Sequence, residues 1–150
     1  MIRNVMDMNA YYGGLNTAFL EAKKSVWVMN VVPIGTRNML PLILDQGFAG
    51  VLHDWCEPFP TYPRTYDLLH ANGLLSHLNS EGCSIINLLF EMDRILRPEG
   101  WVVLSDKQGP IEKARALATQ IRWEARLSEV SPFLGLSSFF LSGLWLIWYT

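Results

Sequence analysis

IRNVMDMNAYYGG, residues 2–14, is the stretch of sequence that decides the fold. Its first half alternates weakly between apolar and polar residues and ends at Asp7, which predicts a short strand that runs into a loop. Gly13 and Gly14 follow, and after them apolar residues recur at helical spacing, at positions 15, 18, 19 and 22. A strand, a glycine loop and a helix in this order begin an α/β fold.

The same order of elements continues along the chain. Residues 25–32, SVWVMNVV, are almost continuously apolar and β-branched, as in a strand that is covered on both faces. Further strands are predicted at residues 48–53, 66–71 and 101–105, and further helices at residues 38–46, 85–96 and 111–125. Alternation at this spacing predicts right-handed βαβ units, with a parallel sheet between two layers of helices.

The composition excludes several classes of protein. Half of the 150 residues are hydrophobic and 17% are charged, which is typical of a folded domain and not of a disordered chain. The formal net charge is −2 and no basic block occurs, so nucleic acid is not an expected partner. Cys56 and Cys83 alone make neither a disulfide framework nor a zinc site. We predict that both are small buried hydrophobic residues and that no metal is bound.

The two ends of the chain differ in character. The first residues carry no basic region followed by an apolar run, so no signal peptide is predicted. Residues 130–150, VSPFLGLSSFFLSGLWLIWYT, contain no charged side chain and approach the length of a membrane span. Pro132, two glycines and four serines make that stretch a poor apolar helix. We therefore predict a domain at residues 1–129 and an apolar tail at residues 130–150, with a membrane span as the alternative for the tail.

Several polar residues mark one edge of the predicted sheet. Ligands of parallel α/β sheets bind at the carboxyl ends of the strands, near the point where the strand order reverses. Asp7, Asn30, Asp54 and His70 all fall at or near predicted strand ends. Glycines that open a helix let a ligand approach the backbone amides, although an ordinary glycine turn has the same sequence. A ligand site is predicted at this edge, with plain loop polarity as the alternative.

Five longer strings resemble one family of proteins. They are VMDMNA at residues 5–10, VWVMNVVP at 26–33, HDWCEPF at 53–59, TYPRTYDLLHA at 61–71 and EMDRILRP at 91–98. They are similar to plant methyltransferases of the Golgi pectin-methyltransferase-like group, and the resemblance runs from residue 2 to about residue 126. The resemblance implies a class I, Rossmann-like methyltransferase fold with a seven-stranded sheet that uses S-adenosyl-L-methionine (SAM).

The resemblance also implies a function and a place in the cell. The expected reaction is methylation of the galacturonate carboxylates of pectin, and the expected partner is therefore a polysaccharide. Full members are Golgi membrane proteins of several hundred residues, and this chain matches the C-terminal part of their catalytic portion. The family implies the Golgi membrane through an anchor absent from this chain, whereas the cytosol is the default from the chain alone. Association with full-length members is a further expectation.

The same resemblance implies a cofactor site. The residues implied to hold SAM are Asp7, Asn9, Gly13, Gly14, Asn30, Asp54 and Trp55. Asp7 would order the loop or receive the ammonium group of the cofactor, and Asn30 stands where many members of the wider fold carry an acid for the ribose. Asp54 would accept the adenine amine, with Trp55 and Phe59 beside the ring. Helix capping by Asp7 and core packing of Trp55 are the alternatives.

Two further residues are candidates for contact with the acceptor. Methylation of a carboxylate needs positioning and desolvation more than a strong base, so no catalytic triad is expected. His70 is the candidate for facing the transferred methyl group, where it would orient the substrate or carry a proton. Arg64 would pair with an anionic polymer. A hydrogen-bonded structural histidine and a solvated arginine are the alternatives.

The chain departs from the family in three places. Tyr11 stands where the family loop has glycine, and a positive φ at this position would cost about 1–2 kcal/mol. The resemblance implies that the upstream half and the membrane anchor of full members are expected to lie outside the matched residues. The final hairpin of the family is missing or replaced by the apolar tail. That tail either forms a makeshift strand at residues 145–149 or exposes apolar area and promotes aggregation.

Two other functions stand beside the active methyltransferase. One is a catalytically inactive methyltransferase-like fragment that keeps the fold, binds the cofactor weakly and acts only by binding. The other is a nicotinamide-dependent oxidoreductase. It is disfavoured because residues 9–14 lack the pattern G-x-G-x-x-G and Asn30, after the second strand, is not an acid.

Overall fold

The computed structural model describes residues 1–129 and 144–149, and the side chains of residues 1–127. Every strand and helix predicted from the pattern is present, with ends that differ by a few residues. A short helix after the fourth strand and a strand before the tail are not among the predicted elements. In chain order the elements are β1 (Asn4–Asp7), α1 (Gly14–Glu21), β2 (Trp27–Pro33), α2 (Leu40–Asp45), β3 (Ala49–His53), β4 (Tyr66–Asn72), α3 (Leu74–Ser80), α4 (Ile85–Ile95), β5 (Leu96–Asp106), α5 (Gln108–Gln120), β6 (Glu124–Glu129) and β7 (Leu144–Tyr149).

The strands form one sheet of seven in the order β3-β2-β1-β4-β5-β7-β6. The first five strands of this order are parallel to one another, which confirms the predicted α/β fold with a parallel sheet. Chain order runs one way from β1 through β2 to β3 and the other way from β1 to β4 and β5. The reversal lies between β1 and β4, and a ligand site is expected in the crevice above it.

The sheet is closed at one side by an antiparallel pair, β6 and β7. β7 lies between β5 and β6 and is antiparallel to both, with Ile147 opposite Val103 and Arg126. Of the two expectations for the closing hairpin, missing or replaced by the apolar tail, the structure shows the second, because the end of the tail forms the strand β7. A continuous apolar string, LWLIWY, suits a strand paired on both sides, and its pairing leaves β5 without an open edge.

The rest of the tail, residues 130–143, lies outside the described residues, and so does most of the stretch considered as a membrane span. Within the described part of the chain, every helix is too short or too polar to cross a bilayer. The division of the chain at residue 130 stays a prediction.

The main core lies between the sheet and the helices α3, α4 and α5. On the sheet side it includes the fully buried Met6, Leu69 and Val102. α4 contributes the apolar face predicted from its spacing, and the buried residues of that helix are Ile85, Leu88, Leu89, Met92 and Ile95. Burial of each such side chain contributes about 1.5–3 kcal/mol. The core on this face therefore fixes β4 and β5 beside β1, and with them the carboxyl edge.

Cys56 and Cys83 form a disulfide, with their Cα atoms 5.7 Å apart. The prediction of two small buried thiols is wrong, because Cys56 is exposed and Cys83 is only half-buried. The bond joins the loop after β3 to the connection between α3 and α4. These loops are 27 residues apart in the chain, and only the fold brings them to disulfide distance.

Candidate functional site

The carboxyl ends of β1, β2 and β4 meet beside the reversal of strand order. A cleft of about 230 Å³ opens there, between the loop after β1 and the loop after β2. The residues that line it are Asn9, Tyr11, Tyr12, Val32, Thr36, Arg37 and Met39. The cleft stands where a ligand is expected in a sheet of this topology.

Asp7 and His70 form a hydrogen-bonded pair at this edge. They are register partners on neighbouring strands, so their side chains share one face of the sheet. His70 Nδ1 lies 3.0 Å from Asp7 Oδ1, and Asp7 is 2% exposed. The carboxylate orients the imidazole, whose side chain is 19% exposed. The structure therefore brings together the predicted catalytic residue and one predicted cofactor residue.

The loop after β1 is tied to the end of β4. Asn9 is buried, and its Nδ2 donates a hydrogen bond to the backbone carbonyl of Asn72 at 2.7 Å. The hydroxyl of Tyr11 donates to the same carbonyl at 3.2 Å. Two donors on one acceptor hold the loop over the β1–β4 crevice.

Both Tyr11 and Gly13 are in the left-handed region, with φ values of 52° and 87°. The position of Tyr11 thus does need a positive φ, at the cost considered for it above. Gly13 precedes α1, and a Cβ there would lie 3.3 Å from the ring of Phe48. Gly14 is the first residue of α1, under the ring of Tyr12. The two glycines thus let the chain turn tightly into the helix.

The hydroxyl of Tyr11 is a donor at neutral pH. Burial raises its pKa, the hydrogen bond from Asn9 lowers it in part, and the negative charges of Asp106 and Asp7 raise it again. The pKa of Tyr11 therefore lies above its ordinary value near 10, and the phenol keeps its proton.

Asn30 lies away from the cleft. It is 0% exposed, and its Nδ2 donates to Asn16 Oδ1 at 2.8 Å and to the carbonyl of Ala49 at 3.0 Å. Its Oδ1 is buried without a hydrogen-bond partner. Val32, two residues later on the same face of β2, is the residue that lines the cleft. The structure therefore places an apolar side chain where the ribose partner was expected.

Trp55 is part of the core. It is 5% exposed, its Nε1 donates to the carbonyl of Met8 at 2.8 Å, and its ring stacks on Phe59 with centroids 5.6 Å apart. This placement matches the core-packing alternative. Asp54 is half-buried, and its Oδ1 accepts the N–H of Cys56 at 2.9 Å, which closes a turn. Neither residue lines the cleft.

Arg64 lies at the opposite edge of the sheet. It precedes β4, and its backbone N–H donates to the carbonyl of Arg94 at 2.9 Å. The seven residues of β4 separate it from the carboxyl edge by about 20 Å. The structure thus does not bring Arg64 together with the other candidates, and its placement gives no support to the predicted contact with substrate.

Three residues at the carboxyl edge were missed by sequence reasoning: Asn72, Ser105 and Asp106. Ser105 Oγ donates to Asn72 Oδ1 at 3.0 Å. Asp106 accepts the backbone N–H groups of Ser76 and Lys107 and the hydroxyl of Ser76. The signal in the sequence is weak, since Asn72 and Asp106 only follow strands that were predicted to end one residue earlier, and Ser105 is the last residue of one of those predicted strands.

A family model described as "Putative S-adenosyl-L-methionine-dependent methyltransferase" matches residues 1–136. This chain belongs to that family. It is 72% identical over 130 residues to "Probable methyltransferase PMT5" of Arabidopsis thaliana, with 87% of this chain and 22% of the relative covered. It is 62% identical over 133 residues to "Probable pectin methyltransferase QUA2" of the same plant, with 87% and 19% covered. The chain thus spans about a fifth of the length of these relatives.

Solved structures of low identity share the fold. A phosphoethanolamine N-methyltransferase of Haemonchus contortus, in complex with SAM, is 13% identical with a TM-score of 0.72, over 99% of this chain and 48% of that one. A SAM-dependent methyltransferase of Archaeoglobus fulgidus is 12% identical with a TM-score of 0.75, over 99% and 86%. These matches confirm the class I methyltransferase fold, and membership of the family makes SAM the cofactor.

The lining of the cleft fits the chemistry of this cofactor. Thr36 and Arg37 offer a hydroxyl and a positive charge for ribose and carboxylate groups, while Val32 and Met39 offer apolar contact. Gly13 is the N-cap of α1, whose first amides are suited to the carboxylate of SAM. The residues present therefore fit the cofactor without an acid at the end of β2.

Proposed function

We propose that this chain forms the cofactor-binding core of a methyltransferase that esterifies the galacturonate carboxylates of pectin. The observation that carries the proposal is a cleft between the loops after β1 and β2, beside the β1–β4 reversal of strand order, in a SAM-dependent methyltransferase family fold. The pectin acceptor is supported by a relative 62% identical whose name is that of a pectin methyltransferase. The acceptor, a polysaccharide, is the proposed partner.

The proposed reaction needs no general base. A carboxylate is ionised at neutral pH, since its ordinary pKa is near 4. When bound, the cofactor would supply a methyl group on a sulfonium; the carboxylate oxygen would form the new bond, the electron pair of the broken C–S bond would stay on sulfur, and no proton would move. The chain holds the reactants in line and excludes water. Asp7 orients the imidazole of His70 at the carboxyl edge of the sheet.

The disulfide supports a place for the protein in the cell. Cys56 and Cys83 are bonded in the structure, and disulfides persist in oxidising compartments such as the secretory pathway. We propose the lumen of the Golgi, attached to the membrane through the longer protein that the family implies. Association with full-length family members is part of the same proposal.

One observation favours a second candidate, an inactive chain that keeps the fold. Tyr11 lines the cleft, is strained at a φ of 52°, and binds the end of β4. A tyrosine in this place reduces the room for a cofactor, and a chain that binds it only weakly would act through association alone.

Calorimetric titration of S-adenosylhomocysteine into the whole chain and into Tyr11→Gly decides between the two candidates. We expect both proteins to bind in the micromolar range, with Tyr62→Gly as the control for loss of an exposed ring that does not line the cleft. Binding by Tyr11→Gly alone would instead identify an inactive chain. No binding to any of the three, and no thermal shift at millimolar ligand, would contradict the proposed function.

A further inference from the structure

Asn72, the last residue of β4, joins three elements at the carboxyl edge. Its backbone carbonyl accepts the hydrogen bonds of Asn9 and Tyr11 from the loop after β1. Its side-chain Oδ1 accepts the hydroxyl of Ser105, its register partner on β5. Both the backbone and the side chain of Asn72 are therefore fixed beside the cleft, at the point where strand order reverses.

The side-chain amide of Asn72 is oriented with its donors outward. Because Ser105 is 7% exposed and donates to Oδ1, the Nδ2 group points away from that contact. Within the described residues, Nδ2 makes no hydrogen bond, and Asn72 is only half-buried. His70, two residues earlier, lies on the same face of β4. The edge thus presents the N–H groups of Asn72 Nδ2 on the same face of the sheet as the Asp7–His70 pair.

Two carboxylates at the same edge, Asp7 and Asp106, have hydrogen-bond donors of their own. Asp7 accepts from His70, and both oxygens of Asp106 accept hydrogen bonds from Ser76 and Lys107. Because both carboxylates already accept hydrogen bonds from other groups, neither takes the amide donor of Asn72. A neutral amide donor beside them suits an anion that must keep its nucleophilicity.

We propose that Asn72 binds the acceptor carboxylate, with Nδ2 donating to one of its oxygens. The other oxygen then faces the methyl group, with its lone pair available for the new bond. An arginine would take both oxygens in a bidentate pair, whereas one amide leaves the attacking oxygen unbound. This assignment rests on the proposed function, and it makes Asn72 a determinant of the acceptor rather than of the cofactor.

Asn72→Asp tests the proposal directly. The new side chain still accepts from Ser105 and leaves the backbone contacts unchanged, but it replaces the donor by a negative charge. The control is Asn79→Asp, the same chemical change at an exposed position of α3. In each full-length chain, calorimetry measures the affinity for S-adenosylhomocysteine and then, with that ligand saturating, for a de-esterified galacturonate trimer.

We expect Asn72→Asp to bind the trimer at least tenfold more weakly and S-adenosylhomocysteine within twofold of the unmodified chain. Asn72→Ala removes the donor without adding charge and should lose several-fold in trimer affinity, while Asn79→Asp should lose neither ligand. Equal trimer binding by Asn72→Asp and the unmodified chain would overturn the proposal. So would equal loss of both ligands, or a cofactor-loaded unmodified chain that binds no trimer. Failure of the unmodified chain to bind S-adenosylhomocysteine would remove the proposed function itself.

Discussion

At the scale of single residues, the loop after β1 depends on two left-handed positions with different costs. Tyr11 adopts a φ of 52° and makes a hydrogen bond in return, whereas Gly13 adopts 87° beside the ring of Phe48. A side chain at Gly13 would be strained by its backbone and crowded by that ring. Backbone strain of this kind is commonly found at binding sites, and here it lies at the cleft.

Gly13→Ala should therefore destabilise the protein more than an alanine at another left-handed glycine. The matched control is Gly47→Ala, where φ is 81° and a Cβ would meet nothing within 4 Å. For either variant, an alanine at positive φ lowers the free energy of unfolding by about 1–2 kcal/mol. At Gly13 the ring of Phe48, 3.3 Å from the new Cβ, adds to it. Urea unfolding measures both, and an equal or smaller loss at Gly13 would show that the ring yields without cost.

At the scale of elements, Asp67 holds the start of β4 to its neighbours. Its Oδ2 accepts the backbone N–H groups of Arg3 and Asn4 at 2.8 and 2.9 Å, and Arg97 Nη1 donates to its Oδ1 at 2.8 Å. Burial works to raise the pKa of Asp67, but the N–H groups of Asn4 and Arg3 and then Arg97 outweigh it. The pKa of this carboxyl therefore lies below its ordinary value.

Asp67 should make the protein sensitive to acid. Because its pKa is lower in the folded state, its contribution is fully present above the unfolded value, near 3.9, and is lost as pH falls through the folded value. Asp67→Asn should lower the free energy of unfolding at pH 6, and the difference from the unmodified chain should shrink at pH 3. Urea unfolding at the two pH values measures it. The exposed Asp45→Asn is the control, and a difference that grows at pH 3 would contradict the assignment.

The helix α3 shows how one element depends on another. Its N-cap is Gly73, which has no side chain to accept the first amides, and Asp106 from the end of β5 accepts the N–H of Ser76 instead. A capping residue thirty positions away has no local signature. For this reason the Gly/Asn/Ser-rich stretch after β4 does not predict the helix that forms there.

At the scale of the whole molecule, long-range connections secure the carboxyl edge. The Cys56–Cys83 disulfide ties the loop after β3 to the α3–α4 connection. β7 lies between β5 and β6 and pairs with both. Trp55, next to Cys56, donates to the carbonyl of Met8 at the end of β1. The disulfide thus stabilises the loop that carries Trp55, and Trp55 in turn holds the chain at the end of β1, beside the candidate site.

Loss of the disulfide should lower the stability of the whole molecule. For a sequence separation of 27 residues, closure entropy corresponds to about 3.5 kcal/mol. We expect urea unfolding of the unmodified chain to shift to lower concentration with dithiothreitol. The double variant Cys56→Ser, Cys83→Ser should unfold at that lower concentration with or without reductant. An unmodified chain indifferent to reductant would show that the bond contributes nothing to stability.

The candidate site was predicted unevenly. Asp7, Asn9 and Gly13 lie at the cleft or beside it, as predicted. They could be predicted because a strand end or a glycine loop is recognisable from a few neighbouring residues. Asn30 and Trp55 share the same kind of position in the sequence, yet their side chains are buried away from the cleft. Which face a side chain takes depends on register and on the helix packed above it, and neither is local.

By itself, the sequence determined the order of strands and helices, the parallel pairing they favour and the family to which the chain belongs. Apolar periodicity and glycine position act over a few residues, so they can be read without a structure. Only the tertiary structure decided the Cys56–Cys83 bond, the insertion of β7 between β5 and β6, and the meeting of Asn72 with Asn9, Tyr11 and Ser105. Each joins residues far apart in the chain, and their contact exists because burial of the core sets the lateral order of the strands.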